Sequence, residues 1–208
     1  MMENITAIIL AGGKSSRIGT DKAFLKLNGE SVIERIYNLL TKIFSDVIII
    51  SNNPEKFLFL TPKVYKDIYP HFGPLSGIHA GLSNSQTENN FFISCDMPLV
   101  TEEVIRFILA KMNNDDITIV KTESNIQSLL GIYKKSCLAR ADELLSFANS
   151  QLNIKAGKTS VKLFDLINHV KTTFIDLSYE KFYHDDILLN MNTSEDYKKV
   201  KDIIGVKN

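Results

Sequence analysis

The sequence of 208 residues predicts an α/β fold built on a mostly parallel sheet, and two observations predict it. Short apolar runs rich in Ile and Val alternate with amphipathic stretches, the pattern of strand-helix units whose strands are covered on both faces. The first of these runs stops in a loop of glycines, hydroxyls and cations, which is where such sheets bind their ligands.

Taken in order, Ile5 to Leu10, Val47 to Ser51 and Asn90 to Cys95 are the clearest strands. Between the first two, Ser31 followed by Glu34 forms a capping box that opens a helix, with Ile33, Ile36, Tyr37 and Leu40 on one face. Thr101 starts another helix, where Glu102 and Glu103 suit the positive end of the helix dipole. Lys63 to Asp67 and Ile117 to Thr122 read as further strands, and Leu129 to Tyr133 as one of unassigned orientation. The right-handed crossover rule makes the early part a doubly wound sheet. The polar stretch from Gln151 to Thr159 reads as a mobile loop. With no repeat, low-complexity tract or long Pro/Gly linker, the expectation is one domain over residues 1–208.

Lys plus Arg and Asp plus Glu each number 24, so no net field draws the chain to nucleic acid or to an anionic membrane. A bound phosphate must be held by a local site. Cys95 and Cys137 form no CxxC pair, which argues against a zinc site or a disulfide framework and for a reducing, cytoplasmic setting. The opening MMENITAIILAGG has no basic leader and its apolar run is short, so it is expected to be a strand rather than a signal or a membrane span.

The informative loop is LAGGKSSRIGTDK, residues 10–22. Gly12 and Gly13 permit close backbone approach, their N–H groups can cradle phosphate oxygens, and Arg17 and Lys22 can neutralise the charge. Two familiar phosphate motifs are excluded: a P-loop ending at Gly13-Lys14-Ser15 needs glycine where Ile8 stands, and the GxGxxG spacing is absent. Further along, Asp96 follows a hydrophobic strand and Pro98 then stops the ladder. Asp67 ends a shorter run, and HFGPLSGI over residues 71–78 reads as a loop of fixed shape in which Gly77 lets a substrate lie on the backbone. His71 is the one histidine beside these segments; His79, His169 and His184 read as structural or surface residues. Near the C terminus, Thr193 is a natural N-cap with Asp196 at the third helical position, and Asn190 and Asn192, spaced by one, point to the same side of an extended segment.

These segments resemble a known family. LAGGKSSRIGTDKAFL looks like the LAGGxSxRMGxDKxxL signature of nucleotidyltransferases with a Rossmann-like fold, and most closely that of the molybdenum cofactor guanylyltransferases, with Ile18 in place of the usual methionine. GPLSG, CDMP and NMNTSED follow in family order. The resemblance implies a three-layer α/β/α sandwich like that of the nucleotide-diphospho-sugar transferases, with a nucleotide-binding half over about 1–100 and an acceptor half over about 101–208. It implies nucleotide contacts from Leu10, Ala11, Gly12, Gly13, Lys22, Ser51, Asp67 and Asp96, with Mg²⁺ on Asp96. It places Gly77, Asn190 and Asn192 on the pterin side, and Gln127 to Tyr133 where the family has its acceptor segment. Ser51 departs from the asparagine that several members carry, and Asn52 or Asn53 stands ready to substitute.

The reaction implied is attack of a terminal phosphate of molybdopterin on the α-phosphorus of GTP, with pyrophosphate leaving. The nucleophile is already an anion, so no general base is needed and the barrier is repulsion and alignment. Arg17, Lys22 and Asp96 are the catalytic candidates. A GTP-binding helper protein and the apo-molybdoenzymes are the implied partners. The competing readings are a CTP-dependent enzyme on the same cofactor, an NTP transferase on a sugar or alcohol phosphate, and a nucleotide-binding module without activity.

Overall fold

The computed structural model describes residues 1–12, 22–61, 63–123, 125–152 and 161–205. Seven strands form one sheet: β1 (Met2–Leu10), β4 (Phe44–Ile50), β5 (Val64–Tyr65), β6 (Asn89–Ser94), β7 (Ile117–Lys121), β8 (Ile126–Lys134) and β9 (Thr172–Asp176), in the order β5-β4-β1-β6-β8-β7-β9. All neighbours run parallel except β8, which is antiparallel to both β6 and β7. The strand of unassigned orientation is thus the reversed one. Two further short strands, β2 (Lys26–Leu27) and β3 (Glu30–Ser31), make a hairpin turned by Asn28 and Gly29, with φ of 52° and 83°. Positive φ at both central residues is what a tight hairpin needs, and Asn-Gly supplies it.

The strand alternation sorts the core into two layers. Ala7, Ile9, Ile49, Phe91 and Ile93 pack on one face with α1 (Val32–Thr41), α3 (Glu102–Ala110) and Val200 of α6 (Ser194–Ile204). Ile8, Leu10, Ile48, Ile50 and Phe92 pack on the other with α2 (Pro74–Asn84), α4 (Cys137–Leu152) and α5 (Leu163–Ile167). Period-two side chains on a sheet buried on both sides give three layers, and this is the expected α/β/α sandwich.

The expected helix starts form as read. Ser31 accepts from the Glu34 N–H while Glu34 accepts from the Ser31 N–H at 2.7 Å. Thr101 caps α3, and Thr193 with Asp196 forms the capping box of α6. Three expectations change. The Lys63–Asp67 strand shrinks to Val64–Tyr65 at the sheet edge. GPLSG is the first turn of α2 rather than a loop, with Gly73 as N-cap at φ 66° and Pro74 in the first turn, where its missing N–H costs nothing. The helix α4 runs through Leu152, into the stretch expected to be a loop; 153–160 lie outside the described residues.

Candidate active site

The strand order places β1 at the switch point, with β4 and β5 on one side and β6 on the other, so the crevice opens at the carboxyl ends of these strands. Leu10 is level with Ile50 and Ser94, which brings Ala11, Ser51 and Asp96 to one edge. The ladder extends one residue further on both sides of β1: the Ala11 N–H donates to Ile50 at 2.9 Å, and the Cys95 N–H donates to the Leu10 carbonyl at 3.0 Å. Gly12 is exposed, and a Cβ placed there meets nothing within 4 Å. Gly13 and Arg17 lie outside the described residues.

Lys22 starts a short 3-10 turn, Lys22–Phe24, and its ammonium donates to Asn192 Oδ1 at 2.9 Å across 170 residues of sequence. The Asp96 carbonyl accepts from the Met191 N–H at 2.7 Å, so the NMN segment is tied to the metal-candidate loop on its other side. Met191 is fully buried, while Asn190 beside it is half-buried and Asn192 is exposed. Asp196 receives the N–H groups of Asn192 and Thr193, each at 2.8 Å. Burial opposes its charge, but these N–H groups, the Thr193 hydroxyl and the nearby Lys22 outweigh burial and hold its carboxyl below the usual range.

Among the described residues, Oδ1 of Asp96 is buried and has no hydrogen-bond partner. A buried carboxylate oxygen without a donor costs free energy unless something else supplies positive charge. No group of three or more His, Cys, Asp or Glu side chains among the described residues could form an all-protein metal cage. A single hard carboxylate oxygen suits Mg²⁺, which is usually held by one or two carboxylates together with substrate phosphates.

At the ends of β4 and β5, Ser51 is buried, its N–H donates to Tyr65 at 2.9 Å, and its hydroxyl oxygen accepts from Asn53 at 3.2 Å. Asn52 and Asp67 bond reciprocally: Asn52 Nδ2 donates to Asp67 at 2.8 Å, and the Asp67 N–H donates back at 3.3 Å. Burial raises the Asp67 pKa, and the Asn52 amide and His71 work against that rise. His71 sits in this connection at φ 77°.

Gly77 has a packing role. It is buried in α2, and a Cβ there would lie 3.0 Å from Cδ2 of Leu10. The missing side chain lets the helix lie against the last residue of β1, so Gly77 supports the edge from beneath rather than offering open backbone. Of the other histidines, His79 is buried with Nε2 3.2 Å from Asp142, as a structural residue would be.

Sequence reasoning missed three supports. Asp196 holds Asn192 as well as capping a helix, Arg35 of α1 donates to the Pro98 carbonyl at 2.9 Å just past Asp96, and Gln127 accepts from Asn190 at 3.2 Å. A capping-box motif carried a signal for the first. The other two pairings are 63 residues apart in sequence and leave no local pattern.

An open α/β sheet that gathers a loop lysine and strand-end carboxylates at its switch point defines a nucleotide-binding fold of the nucleotidyltransferase kind. The chain belongs to the MobA-like NTP transferase family, whose domain model matches residues 7–156. It is 34% identical over 208 residues to a Carboxydothermus hydrogenoformans protein named "Probable molybdenum cofactor guanylyltransferase", covering 99% of this chain and 100% of the relative. A Clostridium perfringens protein of the same name is 37% identical over 198 residues, 93% of this chain and 94% of its own. The crystal structure of molybdopterin-guanine dinucleotide biosynthesis protein A from Archaeoglobus fulgidus superposes with a TM-score of 0.78 at 18% identity, over 97% of this chain and 100% of that one, and shows the shared fold.

Proposed function

We propose that this chain transfers GMP from GTP to the terminal phosphate of molybdenum-bearing molybdopterin, giving the guanine dinucleotide cofactor and pyrophosphate. The observation that carries this is the joining of Lys22, Asn192 and the Asp96 loop into one hydrogen-bonded cluster at the carboxyl edge of the sheet. The names of the full-length relatives supply the substrate pair.

In the reaction, an oxygen of the acceptor phosphate bonds to the α-phosphorus of GTP as the bond to the α,β-bridging oxygen breaks, and that oxygen leaves on pyrophosphate. Lys22 is placed to leave Asn192 for the phosphates and stabilise the developing charge. Gly12 and Gly13, with Arg17, are the proposed phosphate cradle; Ala11, Ser51 and Asp67 border the nucleotide and Leu10 supports it. Asn190 and Asn192 border the acceptor. Asp96 is the residue that would hold Mg²⁺, which supplies Lewis-acid charge when bound. Residues 1–208 are read as one unit, with a nucleotide half over about 1–100 and an acceptor half over about 101–208 that meet at the Lys22–Asn192 contact. Neither Cys95 nor Cys137 forms a disulfide among the described residues, which supports a reducing, cytoplasmic setting, and no described helix is long and apolar enough to cross a membrane. A GTP-binding helper protein and apo-molybdoenzymes complete the proposed partners.

The test is pyrophosphate release from GTP, CTP, UTP and ATP, each with Mg²⁺ and with or without molybdopterin. Release from GTP alone, dependent on the acceptor, is expected. Release with CTP instead overturns the base assignment, and no release with any nucleotide overturns the activity.

A further inference from the structure

The connection from β5 to α2, residues 66–73, carries Asp67 near its start. Apart from a tight turn at Pro70 and His71, no main-chain hydrogen bond among the described residues ties residues 68–72 to the sheet or to a helix. Two side chains set their place instead. Phe72 is buried in the core layer of Ile48 and Ile50, and Tyr69, two residues from Asp67, reaches across to α4.

The Tyr69 hydroxyl donates to Asp142 Oδ1 at 2.9 Å, and its ring meets that of His79 edge-on with centroids 5.2 Å apart. His79 Nε2 lies 3.2 Å from the same carboxylate oxygen. Burial, opposed by Asp142, holds the His79 pKa below its ordinary value, and its Nδ1 is buried without a partner among the described residues. A proton on Nδ1 would have no acceptor, so the ring is neutral with its hydrogen on Nε2, where it donates to Asp142. The hydrogen bond to Asp142 also raises the Tyr69 pKa, so the hydroxyl keeps its proton and stays a donor. One carboxylate oxygen thus joins the β5–α2 connection, α2 and α4.

We propose that Tyr69 and Asp142 are positioning residues for the nucleotide, which hold the β5–α2 connection so that Asp67 stands ready to meet GTP. The inference rests on the nucleotide role of Asp67 proposed above and adds what places it. Asn52 tethers Asp67 from the β4 side, and Tyr69 fixes the chain on the other. Two residues span at most ~7 Å, so movement at Tyr69 is passed to Asp67. A carboxylate held from both sides is already ordered before the ligand arrives, and GTP then binds without the cost of ordering it. Freeing Tyr69 should therefore weaken nucleotide binding and leave the chemical step alone.

The experiment titrates the full-length protein with GTP and Mg²⁺ by calorimetry and measures GMP-transfer kinetics beside it. Tyr69→Phe removes the donor and keeps the ring against His79; it should raise the Kd and KM for GTP about fivefold, the equivalent of about 1 kcal/mol. Turnover and KM for the acceptor should stay within about twofold of the parent. Asp142→Ala should match it, because the Asp142 side chain is 52% exposed and its loss leaves α4 packed. Asp142→Asn keeps an oxygen for both donors and should restore the parent's affinity. Since the effect runs through Asp67, Tyr69→Phe should add nothing once Asp67→Asn is in place. A merely structural role would weaken both substrates and add in full to Asp67→Asn.

Unchanged GTP affinity in Tyr69→Phe, equal losses for both substrates, no rescue by Asp142→Asn, or additivity with Asp67→Asn overturns the proposal. If Asp67→Asn weakens GTP and Tyr69→Phe does not, this inference falls and the nucleotide role of Asp67 stands. If Asp67→Asn binds GTP as the parent does, that role falls and takes the inference with it. Coupled losses of GTP affinity without GMP transfer support the inference and remove the reaction.

Discussion

Replacing Asp96 separates stability from activity. Its Oδ1 is buried without a hydrogen-bond donor among the described residues, and such an oxygen costs ~1–3 kcal/mol in the folded state. The side chain is only half-buried, so Asp96→Ala leaves little cavity, and the relief should roughly match or exceed the lost packing. A protein of this size shifts its Tm by about 2–4 °C per kcal/mol, which puts the variant between unchanged and ~4 °C above the parent. Turnover should fall by ~10³, the equivalent of about 4 kcal/mol of lost charge stabilisation in the transition state. Thermal unfolding gives the first number and pyrophosphate release from GTP the second. Mg²⁺ with GTP should also raise the parent's Tm and leave the variant's nearly unmoved, because only the parent couples the metal to folding. A Tm drop beyond ~4 °C would show that Asp96 is a structural residue, and retention of a tenth of the activity would refute the metal assignment.

Three further outcomes follow from particular contacts. Gly131→Ala would set a Cβ 2.3 Å from the Thr118 carbonyl oxygen and 2.8 Å from Ile119 Cα, so the backbones of β7 and β8 must part. The expected cost is ~3 kcal/mol or more, seen as a Tm loss of at least ~6 °C; a change under ~2 °C would show that the close approach is not maintained. Asp196→Asn removes the charge that receives two N–H groups and faces Lys22, and should cost ~1 kcal/mol while raising KM for the acceptor more than for GTP. Equal effects on both substrates would reduce Asp196 to a helix cap. The Ser31 hydroxyl and N–H, and then Lys26, lower the Glu34 carboxyl from 4.5 to about 2. A depressed folded pKa gives stability that is present above 4.5 and lost as pH falls towards 2, so Glu34→Gln should flatten that acid limb in denaturant titrations, and an unaltered limb would contradict the capping geometry.

Local features were legible in the sequence wherever physics acts within a few residues. The apolar runs of β1, β4 and β6, the box at Ser31, and the caps at Thr101 and Thr193 each depend on neighbours in the chain, and each formed. The turn from Gly73 was misread because Gly-Pro marks loops and helix starts alike; burial of Leu75, Ser76 and Ile78 against the sheet decided for the helix. The helix α4 lies against α2 and buries Cys137, Ala141, Leu145 and Ala148, a stripe whose small residues make a faint apolar pattern. The reversal of β8 is a choice of pairing partner, and nothing in Leu129 to Tyr133 encodes it.

That reversal also explains why the proposed acceptor side was harder to read than the proposed nucleotide side. Nucleotide candidates sit at the ends of neighbouring parallel strands, so the rule that places one places all. Gln127 lies near the start of β8, which runs against its neighbours, so the beginning of that strand arrives at the same edge as the ends of β1 and β6. Its pairing with β7 then jumps from Ile119–Gly131 to Val120–Gln127, letting three residues of β8, Ser128, Leu129 and Leu130, bulge. The buried Tyr133 hydroxyl satisfies the Ser128 carbonyl within the bulge at 2.5 Å. A bulge of this kind re-aims the side chains beside it, and here Gln127, the residue just before it, reaches the Leu188 carbonyl and Asn190. The steric demand at Gly131 and the placement of Gln127 are therefore one feature: opening the close strand contact should disturb acceptor recognition before it disturbs GTP binding.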